Sequence, residues 1–148
     1  MKILANDGMA TSGIIALEAA GFEVLLNKIP QDELIKFINE NQIDMLLVRS
    51  ATTARKELID ACPSIKLIGR GGVGMDNIDV DYAKSKGIKV INTPDASSHS
   101  VAELVFAHLY GMARFLHDSN RNMPLEGDTN FNALKKAYAG GKELKGKT

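Results

Sequence analysis

Five short apolar runs recur at nearly even spacing along this chain, and that rhythm restricts its fold more than any other feature. They are Lys2–Ala5, Glu23–Leu26, Asp44–Val48, Ile65–Ile68 and Lys89–Ile91. Each is strand-sized, and a stretch of helical character separates each from the next. Thr11 or Ser12 caps the first helix, which carries Ile14, Ile15 and Leu17 and stops at Gly21. Pro30 opens the second, with Asp32 and Glu33 in its first turn and Leu34, Ile35, Phe37 and Ile38 as its apolar face. Thr52 or Thr53 opens the third, and Pro63 stands beyond its end. Asp79 opens the fourth, and Gly87 closes it. Strands alternating with helices imply βαβ units and a parallel sheet. Runs that are apolar throughout fit a sheet covered on both faces. The expected class is α/β: a doubly wound parallel sheet with flavodoxin-like strand order.

The fifth run leads into the longest helical signal. Ser100 and Glu103 read as a capping box, and Val101, Leu104, Val105, His108, Leu109 and Met112 follow at helical spacing. His108 falls inside this stripe and reads as a packed core histidine. Asp118 to Asn132 is rich in Asn, Asp, Gly and Pro and reads as an exposed connection, with a short helix over Asn132–Tyr138.

The 148 residues suit one domain at the usual ~100–200. Lys and Arg number 18 and Asp and Glu number 18, so no basic excess points to nucleic acid, and no basic amphipathic helix points to a membrane. Cys62, the single cysteine, has no disulfide partner and reads as a small semi-buried filler. Met1 runs straight into the first strand without a signal-peptide core, and no apolar run spans a bilayer. A cytoplasmic location is expected.

Ligands of open parallel sheets bind outside the carboxyl ends of the strands. That rule selects Asn6, Asp7 and Gly8, then Arg49, Ser50 and Ala51, then Arg70 with the turn Gly71-Gly72-Val73-Gly74, then Asn92, Thr93, Pro94 and Asp95. Glycines at a turn bare the backbone N–H groups to an anion, and arginine's planar fork suits carboxylate or phosphate. The edge reads as a site for a small acid, with no metal. A receiver-like signalling module is an alternative, since Asn6 and Asp7 could begin an acidic pocket. Arg49 and Ser50 after the third strand carry the wrong charge for it. Gly141–Thr148 satisfies the letters of a phosphate-binding G-x-x-x-x-G-K-T loop, but Leu134–Ala139 before it is no strand.

Gly69-Arg70-Gly71-Gly72-Val73-Gly74-Met75-Asp76-Asn77-Ile78-Asp79 resembles the signature loop of the D-2-hydroxyacid dehydrogenases. Leu47–Thr52 is similar to the substrate loop of that family's phosphoglycerate branch. Gly87–Pro94 and Ser100–Leu104 resemble its next strand and inter-domain helix, and Glu143–Thr148 its lead-in to the cofactor domain. The resemblance implies NAD-dependent oxidation of 3-phosphoglycerate to 3-phosphohydroxypyruvate, a step of serine biosynthesis. Glycerate, glyoxylate or lactate enzymes of the same family are the alternative. It implies that Arg49 and Ser50 hold the substrate's anionic end, that backbone N–H groups around Gly72, Val73 and Gly74 grip its carboxylate, and that Val73 also meets the nicotinamide. Arg70 either joins them or orients the loop.

A dinucleotide fingerprint is absent, and none of His99, His108 or His117 matches the family's catalytic histidine, so no catalytic residue is expected in this chain. The resemblance then implies an N-terminal portion: residues 1–98 as substrate-binding domain, and 99–148 as the crossing helix and the start of a truncated Rossmann domain. Such a chain alone is expected to be inactive, and the full-length protein a homodimer or larger.

Overall fold

The computed structural model describes residues 1–147. They divide into two compact units, Met1–Ala96 and Ser97–Thr148. The first holds five strands, β1 (Lys2–Ala5), β2 (Glu23–Leu25), β3 (Met45–Val48), β4 (Leu67–Arg70) and β5 (Lys89–Asn92). All pair in parallel in the order β2-β1-β3-β4-β5, which is the doubly wound, flavodoxin-like arrangement. Leu4, Leu46 and Ile68 stand side by side across the register and are fully buried. They form a core with Leu34 and Ile38 of α2 (Gln31–Asn41), Leu58 and Ile59 of α3 (Lys56–Ala61) and Ala83 of α4 (Val80–Ser85). Cys62 is fully buried in this core rather than half-buried, and desolvation pushes its thiol up to about 11.

Several boundaries differ from the sequence reading, and three of the differences bear on the site or its neighbours. β4 begins two residues late, because the carbonyl of Asp44 draws in the N–H groups of Lys66 and Leu67 while Ile65 still bonds back to Cys62. Gly69 and Arg70 are therefore sheet residues, and the turn begins at Gly71. A Cβ on Gly69 would come 2.7 Å from Leu47 Cδ2, so only glycine leaves that neighbour in place. α3 begins at Lys56, not at Thr52 or Thr53. Its first N–H is capped by Asp79 Oδ2 at 3.0 Å, an acid arriving from the loop before α4. α1 (Thr11–Ala19) takes Ala10 as its N-cap, so Thr11 and Ser12 lie within the helix. Gly21 follows it in the left-handed region at φ +85°.

The second unit corrects three more expectations. α5 (Ser98–Ala113) starts before Ser100: Val101 already donates to the Ser97 carbonyl, so the capping box is not used. His108 is exposed, as are the apolar side chains of α5 around it. Asp118–Asn132 is helical rather than a loop, within α6 (Leu116–Tyr138), despite Pro124 in the helix and a non-helical Asn130. Contacts that close the unit on itself override the local signals. Tyr138 stacks 6.1 Å from Phe115 and accepts from Asn122 Nδ2 at 2.8 Å, and Leu134 is buried. No described helix is long and apolar enough to cross a membrane.

Candidate functional site

Arg49 and Ser50 emerge, both exposed, where β3 ends. The Asp7 carboxylate, just beyond β1, accepts the Arg49 N–H at 2.6 Å, the Thr52 N–H at 3.1 Å and the Thr52 hydroxyl at 2.7 Å. Burial alone would push the Asp7 carboxyl up. The Thr52 hydroxyl and the N–H groups of Arg49, Thr52 and Ala51 outweigh it and hold the carboxyl below its ordinary value.

The glycine turn lies beside this loop. Gly71 donates to the Val48 carbonyl at 2.9 Å, and the stem of Arg49 lies over it, 3.7 Å from where a Cβ would be. The turn is pinned through its carbonyls: Thr93 donates to Gly72 O at 3.1 Å and Asn92 Nδ2 to Val73 O at 2.6 Å. Gly72 spends its own N–H on the Arg70 carbonyl. Among the described residues, no protein acceptor takes the N–H groups of Val73 and Gly74, and both residues are exposed.

The arginines at this edge differ in their partners. Arg70 is largely covered, and its Nη1 donates to Asp76 Oδ1. That guanidinium holds the Asp76 carboxyl below its usual range. Arg55 pairs with Asp79 at 3.0 Å and also donates to the Asp76 carbonyl. Arg49 has no acid partner among the described residues. Arg70 therefore braces the turn, while the Arg49 guanidinium carries no such tie among the described residues.

A cavity of about 220 Å³ opens at the same edge. Leu47, Gly69 and Ile91 line it from neighbouring strands, with Arg49, Arg70, Gly71, Asn92 and Thr93 at the strand ends. Ser50, Gly72, Val73 and Gly74 do not line it. Asp7, Asn77, Asn92 and Thr93 are the residues that hold the two loops. The strand-end rule pointed at three of them without giving them a task, and Asn77 lay unused inside the signature loop.

The turn does not fit a dinucleotide. A pyrophosphate site needs a helix to start at the glycines so that its N-terminus faces the phosphates. Here Met75–Asp79 intervenes before α4, a helix of only six residues. The phosphate-loop letters of Gly141–Thr148 follow the helix α6, not a strand, and Thr148 lies outside the described residues.

The catalytic-domain pattern of the D-isomer specific 2-hydroxyacid dehydrogenases matches residues 3–141. The chain belongs to that family. It is 46% identical over 126 residues to a hydroxypyruvate reductase of Thermotoga maritima, covering 85% of this chain. It is 38% identical over 148 residues to a D-3-phosphoglycerate dehydrogenase of Methanocaldococcus jannaschii. The chain spans 39% of the length of the first relative and 27% of the second. Among solved structures, the NAD+-bound 3-phosphoglycerate dehydrogenase of Entamoeba histolytica superposes with a TM-score of 0.62 at 32% identity, over 77% of this chain and 39% of that one. The family's substrates are 2-hydroxy acids, and its members are oxidoreductases.

Proposed function

We propose that the carboxyl edge of the first unit holds 3-phosphoglycerate for NAD-dependent oxidation to 3-phosphohydroxypyruvate by the whole protein. The observation that carries this reading is the pairing of an acid-free Arg49 guanidinium with the unbonded N–H groups of Val73 and Gly74. Arg49 and Ser50 take the phosphate, through charge-assisted bonds that arginine can make in pairs. Val73 and Gly74 take the carboxylate. Gly72 shapes the turn but contributes no free N–H, and Arg70 acts on the loop through Asp76 rather than on the acid.

A nicotinamide cofactor accepts the hydride when bound. Val73 is proposed to meet its nicotinamide end. The carbonyl-polarising and proton-moving groups are proposed to lie outside residues 1–148. On this reading residues 1–98 are the substrate-binding part and 99–148 the crossing helix and the start of the cofactor domain. The exposed apolar length of α5 supports self-association of the whole protein, since a helix apolar around its girth is normally covered.

Hydroxypyruvate is the second substrate reading, favoured by the 46% identity to a reductase of that name. Rates of the whole protein with 3-phosphoglycerate and NAD, and with hydroxypyruvate and NADH, separate the two. The phosphoglycerate reading requires the first reaction to show the higher kcat/KM and to lose it in Arg49→Ala. A higher kcat/KM with hydroxypyruvate, little changed by that substitution, overturns it.

A further inference from the structure

The buried polar side chains of the described residues are Asn6, Thr52 and Asn77, and all three meet beneath the Arg49–Thr52 segment. Asn6 donates to the Thr52 hydroxyl at 2.9 Å, and Thr52 donates from that hydroxyl to Asp7. Asn77 donates through one Nδ2 to the carbonyls of Arg49 at 2.8 Å and Thr52 at 2.6 Å. The segment is thus gripped by its N–H groups from the β1 side and by its carbonyls from the glycine-turn side. Both grips act on backbone, so the Arg49 and Ser50 side chains stay unused.

Asn77 Oδ1 is buried without a partner, and an unpaired buried acceptor costs stability. Asp7 puts a carboxylate next to an edge that is to receive an anion, which on charge alone weakens binding. We infer that Asp7 and Asn77 are positioning residues: they fix the Arg49–Thr52 segment as one rigid wall and register it against the glycine turn. Asn77 lies two residues beyond Met75 in the same loop as Val73 and Gly74, so it ties the proposed phosphate and carboxylate ligands into one frame. The inference rests on the reading of Arg49 as a substrate ligand.

Charge and position make opposite predictions for Asp7. Removing a carboxylate beside an anion site tightens anion binding if charge decides. If position decides, Asp7→Ala weakens binding of 3-phosphoglycerate to the chain on the order of tenfold, because small misplacements of a ligating group are costly. Asp7→Asn keeps an acceptor for the N–H groups of Arg49 and Thr52 but loses the acceptor for the Thr52 hydroxyl proton, so it restores affinity only in part. Asn77→Ala weakens binding as Asp7→Ala does, and Asn77→Ser serves if the alanine variant is poorly folded.

Amide exchange by NMR supplies the ligand-free readout. The N–H groups of Arg49 and Thr52 are protected in the wild type and lose protection in Asp7→Ala, while Leu46 and Ile68 in the central strands keep theirs. Unchanged protection in Asp7→Ala, or lost protection with unchanged or tighter binding, overturns the inference. A wild-type chain that binds no 3-phosphoglycerate overturns the substrate reading instead, and the exchange data then decide whether the clamp exists.

Discussion

Arg70 is tied to Asp76 across the glycine turn, whereas Arg49, whose stem crosses the same turn, has no acid partner among the described residues. The two arginines thus differ in their partners. Arg49→Ala is expected to abolish binding of 3-phosphoglycerate while leaving the thermal midpoint within a degree or two, since substitutions of exposed side chains shift stability by only ~0.5 kcal/mol. Arg70→Ala is expected to lower the midpoint clearly, because its side chain is mostly covered and braces the loop. Calorimetric melting of both variants checks this, and a larger drop for Arg49→Ala would reverse the assignment.

The Asp7 clamp implies a specific acid response. Its folded carboxyl lies below the ordinary value of 3.8, so the fold is favoured by its ionisation. That contribution is fully present above the unfolded value and disappears as pH falls through the folded one. The gap in urea midpoint between wild type and Asp7→Ala is expected to be constant near neutrality and to close in acid below 3.8. A gap that widens in acid would contradict the clamp.

Cys62 is expected to be inert in the native protein. It is fully buried with a thiol pushed to about 11, so little thiolate forms at pH ~8 and reagents cannot reach it. Labelling by an aromatic disulfide should proceed at the rate of unfolding and rise with urea. Rapid stoichiometric labelling without denaturant would show that the core around α3 opens readily.

Gly69→Ala tests the shift of β4. The new Cβ would press on Leu47 Cδ2 at 2.7 Å and touch Ile91 Cγ1 at 3.4 Å. Leu47 Cδ2 is the end of a flexible side chain and can turn into the cavity it lines, so the variant is expected to lose no more than about 1 kcal/mol, the low end for overpacking. Urea unfolding measures it. A stabilised variant would mean that Gly69 does not face Leu47 across the ladder.

The parallel sheet was legible because its strands are apolar and alternate with helices at regular spacing. The position of Arg49, Ser50 and the turn at Gly71–Gly74 just beyond β3 and β4 was legible because apolar runs stop where glycine and charge begin. What the sequence did not convey are the cross-links. Thr52 looked like a helix cap, but its hydroxyl serves Asp7, and the cap of α3 comes from Asp79, 23 residues away. Asp7 looked like half of a metal pocket, yet its oxygens are consumed by Arg49 and Thr52. Such partners are set by tertiary register, which local pattern does not encode. The same holds for α6, which carries Asp118–Asn132 against its composition while Tyr138 near its end packs against Phe115 before its start.

The most direct test is a ¹⁵N NMR titration of the chain with 3-phosphoglycerate. Saturable shifts are expected at the amides of Val73 and Gly74 and at the Arg49 side chain, with none at Gly72's bonded N–H beyond small neighbour effects, and all are expected to vanish in Arg49→Ala. Shifts confined to other surfaces, or a wild-type response unchanged by Arg49→Ala, would contradict the proposal that this edge holds the acid.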